Sequence, residues 1–359
     1  MGIITIIGAG NVGQTIAGHM ALLGHTVRMF SRWNDEFQPI RDRGGIELFG
    51  EINGTAMPDS LTSDLVEAVE NADVVVIAAP AFAHPSISAS LAPVLEPDQL
   101  VVFQPTVLGS GVELSRQFLL NDREPCLIAE SGTSLYTCRL KEPAKVYVGA
   151  VKDSIQISAI PSSRSQEVID RLVPFFGEHY IPAADSLSVG LSNSNPIYHV
   201  PPAVLNFKTV EDAERLPQHS LVTPRIGEAI DALDKERLAL AAALHTETTS
   251  FWQFLDDAYG VNEGSFVERV IQGYGRQSFP EPDSVKHRYF TEDIPFGLVI
   301  WSSLAKQLGL AMPLTDGFIA ISNVLCGTDF YQDGRTADAL GLKDGSVDDI
   351  VDVFRNGVR

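Results

Sequence analysis

Three stretches of this chain combine residue types and spacings that could do chemistry. The first is Gly8-Ala9-Gly10-Asn11-Val12-Gly13, a G-x-G-x-x-G set placed directly behind an apolar, β-branched run at residues 3–7 that reads as a buried strand. Residues 14–23 continue with helical spacing, with Ile16, Met20 and Leu23 on one face and Gly24 as a stop, and residues 26–30 read as a second strand. Strand, glycine turn, helix, strand is the context that turns a weak glycine pattern into a dinucleotide fingerprint. Gly8 permits the tight turn, Gly10 lets the backbone approach a pyrophosphate, and Gly13 lets helix and strand pack closely. The phosphates would then rest on free N–H groups at the helix N-terminus, those of Asn11 and Val12 among them. Without a ligand the same residues are a glycine-rich turn.

The second stretch is Asn193-Ser194-Asn195-Pro196-Ile197-Tyr198-His199-Val200-Pro201-Pro202. Two adjacent prolines are expected to begin or kink a helix rather than lie inside one, so His199 sits on directed backbone. Its residue type serves an acid–base role and a buried, hydrogen-bonded role equally well. The third stretch is Lys286-His287-Arg288-Tyr289-Phe290-Thr291-Glu292-Asp293-Ile294-Pro295-Phe296-Gly297. Arg288 offers a planar fork for a carboxylate, and Asp293 could fix a histidine tautomer. On residue types alone, a surface ion pair with a helix N-cap at Thr291 or Asp293 is the plainer reading.

These stretches need elements to hold them. The length of 359 residues suggests two domains, and 45% hydrophobic residues suffice for a sizeable core. The first domain, residues 1–184, reads as a Rossmann-type α/β domain. A helix is expected at 61–70, and a buried strand at 72–79 that ends in the loop Pro80-Ala81-Phe82-Ala83-His84, where α/β sheets bind ligands. Pro80 is therefore expected at the cofactor, and His84 could touch cofactor or substrate. Further strands are expected at 100–103 and 126–129, an antiparallel-style pair at 145–150 and 154–160, a helix at 166–176 and a short strand at 179–181. After Asp185 strand-like runs vanish. Residues 225–244, 249–259, 267–272, 296–308, 314–325 and 348–354 have helical spacing, so residues 185–359 read as an all-helical substrate domain, with the site in the cleft between the two. Residues 273–285 are rich in Gly, Pro and polar types and read as a functional loop.

Composition narrows the partners. A net charge of −20 repels nucleic acid and anionic membrane, so anionic substrates must meet a locally basic site. No apolar run reaches membrane-spanning length and the first residues lack a basic leader segment. Cys126, Cys138 and Cys326 are far apart and in no metal-like spacing, which points to a reducing cytoplasm and no metal. Small molecules are the expected partners, and a homo-oligomer is compatible with the chain.

Taken together, the motifs resemble a known family. GAGNVG, ADVVVIAAPA, GTSLYTCR at 132–139, N-x-N-x-x-x-H at 193–199, HRYFTEDIPFGLV at 287–299 and TDFYQDGRT at 328–336 are similar to the opine dehydrogenases, whose members include octopine dehydrogenase and N-(1-D-carboxyethyl)-L-norvaline dehydrogenase. The resemblance runs nearly end to end. It implies reductive condensation of a 2-oxo acid, pyruvate, with the amine of an amino acid, using NAD(P)H. It also implies that His199 is the acid–base group, Asp293 its partner and Arg288 the holder of a substrate carboxylate. Two alternatives remain: a 2-oxo acid or ketopantoate-type reductase that makes an alcohol, and a nicotinamide-binding sensor without turnover. One departure is visible. NAD-using relatives carry an acidic residue at the end of the second strand, where this chain has Ser31-Arg32, with Asp35 and Glu36 beyond the strand end. A hydroxyl and a guanidinium suit a 2′-phosphate, so NADPH is expected over NADH, which remains a possible cofactor.

Overall fold

The computed structural model describes residues 1–275 and 281–359. Two units emerge, one of residues 1–190 with 352–359, the other of residues 191–351. The first holds two sheets. The strands in chain order are β1 (Ile3–Ile7), β2 (Thr26–Phe30), β3 (Ile46–Gly50), β4 (Gly54–Ala56), β5 (Ser60–Thr62), β6 (Val74–Ile77), β7 (Leu100–Phe103), β8 (Leu127–Ser131), β9 (Tyr136–Glu142), β10 (Lys145–Val151), β11 (Ile155–Ile160) and β12 (Tyr180–Pro182). The larger sheet runs β12-β11-β8-β7-β6-β1-β2-β5, and the smaller β4-β3-β10-β9. Strands β1, β2, β5, β6, β7 and β8 are parallel neighbours, the expected Rossmann core. Their β-branched side chains are buried on both faces, as Val74, Val75, Val76 and Ile77 are.

The helix Asn11–Leu22 lies between the sheets and is buried around most of its circumference, including Gly13, Gln14, Thr15, Ile16, Ala17, Gly18 and Met20. A β-carbon on Gly18 would touch Ile46 and Leu48 of β3, each at 3.2 Å. A one-faced amphipathic reading therefore misplaces Leu23, which is 54% exposed. Gly24 does end the helix, at φ +85°.

Several local expectations are corrected. Residues 60–62 form strand β5 along β2, and the helix that follows is only Leu65–Val69. Strands β10 and β11 do not pair with each other. β10 runs antiparallel to β9 and parallel to β3, whereas β11 runs antiparallel to β8 and parallel to β12. The turn between them takes the chain from one sheet to the other.

The second unit is helical, with Asn195–Leu205, Pro224–Ala243, Phe251–Tyr259, Phe266–Tyr274, Val299–Gln307 and Pro313–Cys326 as its main elements. Gly273 and Tyr274, expected in a loop, close the helix Phe266–Tyr274, and residues 276–280 of that loop lie outside the described residues. A fully buried ion pair organises one corner. Arg237 binds Asp234 at 2.6 Å and donates to the carbonyls of Leu191 and Thr249, while the other Asp234 oxygen accepts from the Phe251 N–H at 2.7 Å. Each buried charge thus finds several partners, the condition under which burial is tolerated. Among the described residues no helix is long and apolar enough to cross a membrane.

The glycine turn gives a first prediction. A β-carbon on Gly13 would run into the Gly8 carbonyl oxygen, which is backbone and cannot rotate away. Gly13→Ala should lower stability by about 1–3 kcal/mol, the usual range for overpacking. Urea unfolding reads it, and an unchanged midpoint would contradict this packing.

Candidate active site

The helix Asn195–Leu205 carries His199 and, against expectation, holds Pro201 and Pro202 inside it, while Pro196 occupies its first turn. Each interior proline lacks an N–H and frees the carbonyl four residues back. For Pro202 that carbonyl is Tyr198, and it accepts instead from Gln218 Nε2 at 3.2 Å. Gln218 is buried, and its Oε1 accepts from the Tyr289 hydroxyl at 3.2 Å. Tyr289 in turn stacks on His199, ring centroids 3.9 Å apart and 13° from parallel. The proline that interrupts the helix thereby recruits the side chain that holds the ring supporting His199. Such a stacked pair typically contributes about 0.5–1.5 kcal/mol beyond area burial.

Asp293 arrives by another irregularity. His287, rather than Thr291 or Asp293, caps the short turn Arg288–Thr291, its Nδ1 accepting from the Tyr289 N–H at 3.4 Å. A π-helical turn, Ile294–Leu298, follows Asp293, with the Leu298 N–H donating to the Asp293 carbonyl at 3.0 Å. Such turns recur at functional sites. Gly297 within it faces Pro196, and a β-carbon there would fall 2.6 Å from the proline Cγ. That close approach lets two segments 94 residues apart meet, and His199 Nδ1 lies 2.8 Å from Asp293 Oδ2.

A carboxylate only accepts, so Nδ1 carries the proton and Nε2 of a neutral ring is left as acceptor. Asp293 is 3% exposed, whereas the His199 side chain keeps 15% of its surface. Burial pulls the His199 pKa below its ordinary value, Asp293 pulls it back up, and the Arg288 charge adds to the lowering. The ring is therefore neutral near pH 7. His287 is pushed down to about 4, by burial first and then by the neighbouring His199 and Arg288. Arg288 has a long ion pair with Glu292, 3.7 Å, and its side chain stays 46% accessible, so its fork remains within reach of a carboxylate. Sequence reasoning singled out His199, Arg288 and Asp293. It passed over Tyr289, His287 and Gln218, although Tyr289 and His287 flank Arg288.

The first unit places its candidates at the carboxyl ends of β1, β2 and β6. Gly8 has φ +116°, and a β-carbon there would meet the Ala78 carbonyl at 2.7 Å. Gly10 is different: a β-carbon would meet nothing within 4 Å. Its backbone borders open space at the start of a helix whose first N–H groups have no intrahelical acceptor, a fit for phosphate oxygens. Val12 packs partly against the core. Asn11 has a structural task, its Oδ1 accepting from the Leu140 N–H of β9 at 2.7 Å. Pro80 is exposed and opens the turn after β6. His84 is turned inward, its ring nitrogens engaged by Ser110 Oγ at 2.9 Å and the Ala79 carbonyl at 3.0 Å. Ser31 is buried, and its hydroxyl donates to the Glu36 carboxylate, so an acid does reach the tip of β2 by folding back from the turn Asn34–Phe37. Arg32 is exposed, 3.2 Å from Ser86 Oγ and 5.7 Å from the Trp33 ring.

Comparison with known proteins converges on one family. Residues 182–326 match the family model of the α-helical domain of NAD/NADP octopine/nopaline dehydrogenases, and residues 4–162 match that of the ketopantoate reductases PanE/ApbA. An opine dehydrogenase of Arthrobacter sp. (strain 1C) is 31% identical over 94% of both chains. Protein ocs of Agrobacterium tumefaciens (strain Ach5) is 27% identical over 99% of both. Among solved structures, octopine dehydrogenase with NADH and L-arginine superposes with a TM-score of 0.81 at 20% identity, covering 100% of this chain and 99% of that one. With a Rossmann unit, a helical unit of the octopine/nopaline type and an end-to-end relative above 30% identity, the chain belongs to the opine dehydrogenase family.

Proposed function

We propose that this protein is a nicotinamide-dependent oxidoreductase of the CH–NH group that joins a 2-oxo acid, pyruvate, to the amine of an amino acid as an N-(carboxyalkyl)amino acid. The observation that carries the reading is the His199–Asp293 pair, 2.8 Å apart in the helical unit beside Arg288. Solved octopine dehydrogenases bound to NADH with L-arginine, and to NADH with pyruvate, support the substrate classes. Neutral Nε2 of His199 takes a proton from the incoming ammonium, freeing the lone pair that attacks the oxo carbon. The same nitrogen, now protonated, returns that proton to the former oxo oxygen, which takes its second proton from the attacking nitrogen and leaves as water as the C=N bond forms. Asp293 holds the tautomer and stabilises the imidazolium formed between these steps. Arg288 grips a substrate carboxylate through its fork. The nicotinamide, when bound, supplies the hydride that reduces the imine carbon.

A second reading, reduction of an oxo acid to an alcohol, is favoured by the ketopantoate reductase match of residues 4–162. NADPH oxidation separates the two. The proposed reaction requires pyruvate and an amino acid together, with the condensed product visible by mass spectrometry. Oxidation with the oxo acid alone, and no nitrogen in the product, would establish the second reading. The free cysteines support a cytoplasmic location.

For the cofactor, Arg32 supports NADPH, because its guanidinium is exposed at the end of β2 where a 2′-phosphate would lie. Ser31 is withdrawn from that task by Glu36, whose carboxylate would accept from the 2′-hydroxyl of NADH. The balance is a preference for NADPH with NADH still used.

Three outcomes are expected. His199→Ala should lose roughly 10²–10⁴-fold in kcat while still binding NADPH, and near-normal turnover would remove His199 from the mechanism. Arg288→Lys should raise the KM of the oxo acid or the amino acid roughly tenfold, since charge survives but the fork does not. An unchanged KM for both would place Arg288 outside the site. Arg32→Ala should cost NADPH roughly tenfold in kcat/KM and NADH little, whereas equal losses would show that Arg32 does not read the phosphate.

A further inference from the structure

The helical unit also buries a group the reaction above does not use. Glu281 is 2% exposed, and neither carboxylate oxygen has a hydrogen-bond partner among the described residues. Its backbone is fixed, the N–H donating to the Leu216 carbonyl at 2.7 Å. The Tyr198 hydroxyl is likewise buried and unpartnered among the described residues. The two belong to one neighbourhood: the Leu216 carbonyl that holds the Glu281 N–H lies two residues from Gln218, whose amide donates to the Tyr198 carbonyl at 3.2 Å, and Glu281 is among the charges that push the buried Tyr198 phenol pKa up. Tyr198 stacks on Tyr274 at 4.3 Å, Tyr274 leans on Tyr259 at 5.1 Å, and the Tyr198 ring is 6.1 Å from that of His199.

Buried polar groups are nearly always satisfied in native proteins, so two orphans in one place mark a missing partner. Its chemistry can be read from the surroundings. A carboxyl without a donor, pushed by burial up to about 8, returns to its charged form when a cation arrives. A carboxylate of a substrate would be repelled, and a neutral hydrocarbon would leave both orphans unpaired.

We infer that Glu281, with the Tyr198 hydroxyl, receives a positively charged nitrogen of the amine substrate. This rests on the opine-forming reading, and it makes Glu281 a specificity-determining residue of that site, complementary to Arg288, which takes a carboxylate. The nitrogen is an alkylammonium or guanidinium, carried either as the α-ammonium of any amino acid or on a basic side chain.

The test uses the full chain loaded with NADPH. Binding of norvaline, lysine and arginine is measured by calorimetry, and KM values for amine and pyruvate by turnover, in the unmodified protein and in Glu281→Gln. The expected result is an amine affinity weakened roughly tenfold or more, the loss of a charged hydrogen-bond partner, with the pyruvate KM within about twofold. Loss for all three amines assigns the α-ammonium, and loss for lysine and arginine alone assigns the side chain. Unchanged amine binding, or equal effects on both substrates, overturns the inference. If Glu281→Gln does not fold, Tyr198→Phe carries the same test, with selective weakening of amines as support and no change as refutation. Calorimetry reads binding without turnover. A protein that forms no opine but loses amine binding on substitution would therefore sink the reaction and keep the receptor, and opine formation indifferent to Glu281 would sink the receptor alone.

Discussion

The hydrogen bond between His199 and Asp293 sets the terms for the whole helical unit. It joins residues 94 positions apart, one on the helix Asn195–Leu205 and the other at the mouth of a π-helical turn. Neither segment is regular, and the irregularities serve the bond. Pro202 leaves the Tyr198 carbonyl open for Gln218, and Gln218 holds Tyr289 against the histidine ring. Gly297 lets the π-turn close on Pro196, where any side chain would force the two apart. A buried carboxylate is costly unless it is paired, so each of these features acts to guarantee that Asp293 meets its partner.

The dinucleotide unit depends on a similar constraint of space. Gly8 and Gly13 face backbone that no side chain could share, while Gly10 faces open space. The first two glycines are needed by the protein's own packing, and the third leaves the start of the helix open. The smaller sheet, β4-β3-β10-β9, covers the opposite face of the helix Asn11–Leu22 and is tied to its first turn through Asn11 and Leu140. The helix that begins at the glycine turn is thus clamped on both sides.

The difference between what the sequence revealed and what it hid follows from how local each signal is. Strands β1, β2, β6 and β7 were legible because their apolar runs are continuous and bounded by turn residues. The partners of β10 and β11 are not legible in the sequence because they are set by register across the sheets, and adjacency in sequence suggests an antiparallel pair that the chain does not make. Leu61 continues the helical spacing of the residues after it, yet β2 offers residues 60–62 a parallel edge and they form strand instead. At the site, His199, Asp293 and Arg288 became legible through the resemblance of their motifs to the opine dehydrogenases, because residue type alone left a surface ion pair and a helix cap as the plainer reading of the last two. Tyr289 and Gln218 did not, since their importance lies in contacts made across the unit. Glu36 was discounted for lying past the end of β2, and the short turn Asn34–Phe37 brings it back.

The proposed tuning of a neutral His199 by Asp293 for proton transfer is tested most directly by the pH dependence of turnover. Burial holds the His199 pKa below 6.5 and Asp293 opposes that lowering, so the protonated, inactive ring appears only as pH falls below about 6.5. kcat/KM for condensation, measured at saturating NADPH from pH 4.5 to 8, should therefore fall on the acid side with a midpoint below that value. In Asp293→Asn, with the stabilising charge removed, the midpoint should move to still lower pH while the plateau drops. An acid limb that stays in place, or moves up, when Asp293 is neutralised would contradict the pairing as the source of the chemistry.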